Sequence, residues 1–436
     1  MFNKLANIYG SSPKPSKEKR NRIGFILYWF NIISVSFLVI WVVIGNVVAY
    51  QLEQPVILAR SELVRQFPIS ETNGSSLKRK EIKEKFSAIV NMSENIRNDL
   101  SKYVDESAIA PSDSLQKHLA SQSENLAALY AYVLQSDVPI QESLNLDMLL
   151  NMGTFDSLPS FLVEVTWQRM LIASAINNYS LGKTQSAFDS LEVAWRLNQA
   201  TRNQPTLISQ LVTIICDRIQ IQGIRKIDLA LPVWQKRLVS FETSKSSFLL
   251  ALKFEIFKSY GLIRNFPLRK GGSELEEKSA SFLSHLLQLF VQPYFTLSAI
   301  DTWQTEMREL EMRFNQDPCI PIAYEDIPQL SSWNILGFIG ASSSSQLYKL
   351  TKLQIDMELT QKILRLREVA SQTGKFPQTL SGIDTSVICK SLRYVYQPSP
   401  EGDAMTISLS KQNRPEWLVE RTGYIPLSYS TKLKKL

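Results

Sequence analysis

Proton transfer, covalent catalysis and metal-assisted hydrolysis need side chains that titrate near neutrality, attack, or ligate. This chain of 436 residues carries two histidines and three cysteines. His118 falls in a polar helical stretch and His285 in an apolar one, and each reads as a surface or packed residue. No glycine-rich phosphate loop, nucleophile elbow or His-Glu-x-x-His sequence occurs. Carboxylates remain, in Glu274-Leu275-Glu276-Glu277, Glu309 with Glu311, and Asp356 with Glu358. On a helix, residues two apart point to different faces, so these groups predict solvated charge and not a general acid/base pair. Glu401-Gly402-Asp403 offers oxygens of the kind calcium takes, but only two carboxylates are close and a hairpin turn accounts for them. From these residues the sequence yields no catalytic set, no cofactor and no metal site.

The element that must position everything else is Ile23–Leu52, a run without one charged side chain. Its core, Ile23–Ile44, rises roughly 33 Å as an α-helix at ~1.5 Å per residue, against a hydrocarbon thickness of ~30 Å. Tyr28, Trp29 and Tyr50 stand near its ends, where interfacial aromatics belong. Lys4, Lys14, Lys17, Lys19, Arg20 and Arg22 precede it against Glu18 alone, whereas Glu53, Arg60, Glu62 and Arg65 after it cancel. The positive-inside bias predicts a cytoplasmic N-terminus in a bacterial inner membrane and an extracytoplasmic body. A cleaved signal peptide is the alternative, since Val47-Val48-Ala49 resembles a cleavage site, although cleavable apolar regions run only ~7–15 residues.

Division follows from this anchor: 1–22 a cytoplasmic tail, 23–52 the transmembrane helix, 53–340 a helical domain, and 341–436 a smaller α+β module. With 16 Gly and 19 Pro the chain is poorer in both than the ~12% of average proteins, which favours helices. Apart from the anchor, no uncharged apolar run is long enough to span. The net charge of +7 is dispersed among 41 acidic residues. It predicts attraction of the chain's basic ends to anionic lipid and no nucleic-acid partner. Cys216, in the apolar stretch LVTIICDRI, reads as a buried thiol. Cys319 and Cys389 lie in less regular stretches of a region placed in an oxidising compartment. A bridge between them is one outcome and two separate thiols the other, because sequence supplies neither distance nor direction.

Along the body, periodicity predicts helices over 55–67, from Leu77 through Ile96, and from Ser112 to Gln135 with a Ser112 cap. Others are expected over 159–224, 231–262, 274–290 and 297–314. Loops are expected over 68–76 and 267–272, with an irregular packed segment over 318–340. Within 159–224, Ala175, Tyr179, Gly182, Ala187 and Ala194 fall where two helices would pack closely around a glycine turn. That order resembles a single tetratricopeptide-type hairpin and implies a helical bundle or short α-solenoid.

From Ser342 a serine-capped amphipathic helix is expected, with Leu350, Leu353, Met357 and Leu364 on one face and Ile355, Leu359, Ile363 and Leu366 beside it, stopped by Gly374. Strands follow over 391–397, 404–409 and 424–429, in an antiparallel sheet packed on the helix. The sequence Gly374-Lys375-Phe376-Pro377 with Leu380, then a strand, an acidic glycine turn and the strand ending Ile407-Ser408-Leu409-Ser410, resembles the C-terminal half of type II secretion pseudopilins. It is also similar to single-span bacterial envelope proteins carrying such a segment after a helical region. It departs from pseudopilins in two ways: the helical body separates this helix from the span, and the N-terminus lacks their processing site. The expected fold class is thus mainly α with a small α+β end. The expected function is a non-enzymatic, membrane-tethered envelope scaffold with a protein partner. Alternatives are an accessory component of a secretion or pilus-like system and a carboxylate-dependent envelope enzyme.

Overall fold

The structure, a computed structural model, describes residues 17–67, 79–105, 110–135, 150, 162–266, 281–337 and 343–433, except 203, 205, 229–230, 240–241, 380–381, 383, 413 and 419–426. The expectations for the tail before Lys17, the loops at 68–76 and 267–272, the acidic group at 274–277 and the start of the third strand at 424 lie outside these residues. So does the side chain of His285.

The apolar run belongs to one helix, α1 (Lys17–Gln66), that passes Pro55 without a break. It is the one candidate span among the described residues, long and apolar enough to cross a membrane. Phe25, Leu27, Trp29, Phe30, Ile33 and Phe37 are all exposed. Asn31 and Asn46 bond within the helix, Asn31 donating to the Leu27 carbonyl at 2.9 Å and Asn46 to Val42 at 2.6 Å, as polar groups in lipid require. Beyond the apolar run α1 becomes a core element: Val56, Leu63 and Phe67 are buried.

Two short helices replace the single one expected over 77–96. α2 (Arg79–Lys85) leads into a 3₁₀ turn (Ser87–Val90) and an extended Asn91, and α3 (Glu94–Asp105) starts afresh. The break lets Phe86 and Ile89 enter the core together. The 112–135 helix likewise divides at Gln122 into α4 (Asp113–Ser121) and α5 (Ser123–Leu134), with Ser112 capping α4 through Leu115 N–H at 3.3 Å. Three antiparallel-connected helices follow, α6 (Leu162–Ser180), α7 (Thr184–Arg202) and α8 (Leu207–Lys226). Then come α9 (Pro232–Val239) and α10 (Glu242–Arg264) where one helix was expected.

The helices expected on either side of Pro293 are one, α11 (Ser281–Asn315). A proline in a helix interior removes an N–H and displaces the preceding turn. Here the Trp41 indole N–H of α1 donates to the Phe290 carbonyl at 3.1 Å, and Pro293 sits against Gly45, so the neighbouring helix supports the disturbed turn.

The last long helix, α12 (Leu347–Thr373), begins after a 3₁₀ turn over Ser343–Gln346. The expected serine cap is absent: Gln346 holds the N-cap position and makes no side-chain cap. Gly374 ends the helix in the left-handed conformation at φ 74°, where a side chain would be strained. Three strands, β1 (Tyr394–Pro398), β2 (Ala404–Leu409) and β3 (Ser428–Lys432), form an antiparallel sheet in the order β1-β2-β3. In register, Tyr396 faces Ile407 and Ile407 faces Tyr429.

The buried apolar residues form three clusters. One lies among α2–α11 and one face of α12, through Leu350, Leu353, Met357 and Leu364. A second joins the other face of α12, through Ile355, Leu359, Ile363 and Leu366, to the sheet. The third gathers Val56 and Leu63 of α1, Phe254, Phe257 and Tyr260 of α10, and Ala299 and Ile300 of α11. α12 is therefore not amphipathic toward solvent. Both of its apolar faces are covered, one by each neighbour.

Candidate functional site

Charge is concentrated inside this molecule, where α12 meets α8 and the sheet. Asp356 of α12 is fully buried; Arg218 Nε stands 3.6 Å from its carboxylate, and Arg225 of α8 is buried beside it. Arg225 donates to Thr360 Oγ1 and to the Asp356 backbone carbonyl, both at 2.8 Å. Burial raises the Asp356 carboxyl to about 6 and lowers Arg225, each opposed by the attraction between them.

About three turns further along α12, Arg367 reaches the C-terminal end of α8. Its guanidinium donates to the carbonyls of Ile224 at 3.2 Å, Ile227 at 2.7 Å and Arg225 at 2.6 Å, and to the Tyr429 hydroxyl of β3. Its Nε lies 3.3 Å from Asp228. A helix leaves its last carbonyls without intrahelical partners, and its C-terminus attracts cations. Arg367 meets both needs from another element. Tyr179 closes the same corner, donating to the Asp228 carbonyl at 3.2 Å.

Glu358 points the other way. It accepts from Ser386 Oγ and Val387 N–H, both at 2.7 Å, and from the Tyr394 hydroxyl at 3.2 Å, with Lys362 Nζ at 3.4 Å. Asp356 and Glu358 thus serve opposite interfaces, the divergence expected of residues two apart. Burial, then the Glu358 charge, pushes the Tyr394 hydroxyl well up. A further buried pair, Asp217 with Arg202 at 2.8 and 2.9 Å and Asn198 at 2.6 Å, ties α7 to α8.

The other singled-out carboxylates are also occupied or exposed. Glu309 accepts from Arg313 Nε at 2.8 Å, and Glu311 and Glu401 face solvent. Asp403 accepts from Ser399 Oγ at 2.7 Å and pairs with Lys432 at 3.2 Å, which holds the β1–β2 turn. His118 is half-buried on α4.

In the helical hairpin, Ala175, Ala187 and Ala194 are fully buried, and Gly182 takes φ 75° in the turn. Cys319 and Cys389 are joined as a disulfide with Cα atoms 5.5 Å apart, and Cys216 is buried in the largest core. Asp317 lies beside the bridge and accepts from Cys319 N–H at 2.9 Å. Bonded sulfurs are not thiolate ligands, so this cluster offers a metal one carboxylate. A hollow of ≈ 60 Å³ lined by Lys245, Arg313, Phe314 and Tyr348 has room for a water or two and not for a substrate.

The arrangement can fasten elements together; among the described residues it gathers no acid, base and nucleophile around a space for a reacting molecule. Sequence reasoning missed Arg225, Arg367, Asp217 and Tyr429. The one available signal was Asp and Arg at positions of apolar helices that otherwise face inward. No family model, curated protein or solved structure matches the chain.

Proposed function

We propose that this protein is a membrane-tethered, non-enzymatic scaffold of the bacterial cell envelope, with its body outside the cytoplasm and a protein partner. The carrying observation is α1: its apolar side chains from Phe25 to Ile40 lie bare, while the same helix runs unbroken into the core at Val56 and Leu63. A bare apolar helix of this length is covered at least cost by lipid. The basic residues before it favour a cytoplasmic N-terminus, and the Cys319–Cys389 bridge suits an oxidising compartment.

The secretion-accessory reading draws support from the C-terminal order of long helix, hairpin and third strand. Against a polymerising role stands α12 itself, whose apolar faces are already covered within the chain.

The test is paired fusion after Leu436 of a reporter active only outside the cytoplasm and of one active only inside, together with cross-linking in the native host. The expected result is activity of the first alone and recovery of a specific protein. Activity of the cytoplasmic reporter would refute the topology.

A further inference from the structure

We propose that the body is seated on the bilayer, with the first turns of α11 beside α1 in the outer leaflet and an aromatic collar at the headgroup level. This rests on the reading of α1 as a membrane span. Trp41 contacts Phe290, and Gly45 contacts Pro293, so α11 runs parallel to α1 in a nearly constant register. A Cβ on Gly45 would come within 3.0 Å of Pro293 Cβ, the close approach that small residues permit between helices in membranes.

The register sets a depth. With Ile23–Ile44 in the hydrocarbon, Trp41 lies within roughly 5 Å of its outer edge at ~1.5 Å per residue. Phe290 is level with it, and Ser281–Leu289 precede Phe290 toward the bilayer. From Ser281 through Ile300 no Asp, Glu, Lys or Arg occurs. Leu289 is 53% exposed, bare apolar surface at that depth.

A second observation concerns the aromatic side chains at this level. Phe266 stacks on Phe295 at 5.7 Å, Tyr294 meets Phe295 at 5.8 Å, and Trp333 meets Tyr294 at 6.2 Å. Phe266, Trp333 and Ile335 stay 48%, 46% and 69% exposed. Tyr294 follows Pro293 directly, so the register places this group at the level where α1 leaves the hydrocarbon. Aromatic rings with one polar end belong at that level. Just above it Glu53 of α1 is buried and receives hydrogen bonds from Tyr260 and Arg264 of α10, marking the return to a polar-tolerant interior.

Spin labels at single introduced cysteines, in the full chain in lipid nanodiscs, read this directly through relative accessibility to oxygen and to a water-soluble nickel complex. The sites are Leu38→Cys on the span, Leu289→Cys, Trp333→Cys, and Leu181→Cys on the exposed α6–α7 turn; Ile335→Cys replaces Trp333→Cys should that variant fail to fold. The expected oxygen-to-nickel ratio is several-fold higher at 38 and 289 than at 181, with 333 or 335 between. A ratio at 289 or in the collar equal to that at 181, with 38 in lipid, overturns the seating and leaves the anchor standing. Water accessibility at 38 overturns both.

Discussion

Glu306 of α11 buries one carboxylate oxygen without a hydrogen-bond partner. Burial first, and then the charge of Glu309, raise its pKa from 4.5 to about 7. The folded state therefore holds the proton more tightly than the unfolded state. Its contribution to stability is full below pH 4.5 and lost as the pH rises through about 7. Glu306→Gln removes that loss and should raise unfolding stability at pH 8 by about 2–3 kcal/mol, with little change at pH 4. Denaturant titrations of both proteins at the two pH values measure it, and equal gains at both would show that the carboxyl does not titrate in this range. Residues of this kind were hard to read in the sequence. Gly182 and Gly374 announced themselves because a left-handed turn favours glycine. A carboxylate in mid-helix looks solvated until its surroundings are known; for Asp356 they include Arg225, 131 positions away.

Helix α8 depends on a side chain from α12 for its C-terminal carbonyls. Arg367→Met keeps much of the apolar stem and removes the guanidinium donors to Ile224, Arg225 and Ile227, leaving the Arg225 carbonyl the Tyr429 hydroxyl at 3.3 Å. Leaving buried acceptors unpaired costs about 1–3 kcal/mol each, partly recovered by relaxation and water. A loss of about 3 kcal/mol is expected, together with faster amide exchange at the end of α8 and in β3, where Tyr429 loses its donor. Faster exchange uniform over the molecule would instead mean global destabilisation without a local role. The elements themselves were legible to the extent that local forces decide them. Ser112 capped α4, Gly374 ended α12, and both apolar faces of α12 matched the neighbours that cover them. Helix limits set by tertiary partners were not legible. Separate helices were expected over 274–290 and 297–314, and the contacts of Trp41 and Gly45 of α1 account for a helix that continues through Pro293. The break at Asn91 follows from the simultaneous burial of Phe86 and Ile89, which periodicity alone does not demand.

At the scale of the whole molecule, composition pointed to helices and the uncharged N-terminal run to a single span. The change from Ser342 to a serine-led amphipathic helix followed by strands pointed to a boundary near residue 340. The contacts of α12 bear on that boundary, because the helix supplies Leu350, Leu353, Met357 and Leu364 to the helical core and Ile355, Leu359, Ile363 and Leu366 to the sheet. Cutting before residue 341 would expose the first set, strand Asp356 and Arg367 without Arg225, Arg218 and the α8 carbonyls, and remove Cys319 from Cys389. Fully burying a Leu or Met side chain is worth about 1.5–3 kcal/mol, so losing four such contacts costs an amount comparable to the whole stability of a small domain. Residues 341–436 expressed alone should therefore lack cooperative unfolding and dispersed amide resonances, although their hairpin sequence is intact. A fragment from residue 79 onward keeps α2–α8, including the Asp217–Arg202 pair and the seam, and should regain α12 protection in hydrogen exchange even without the anchor. A well-folded 341–436 fragment would instead make the sheet and its helix a self-sufficient module, and the buried charges between α8 and α12 an ordinary domain interface.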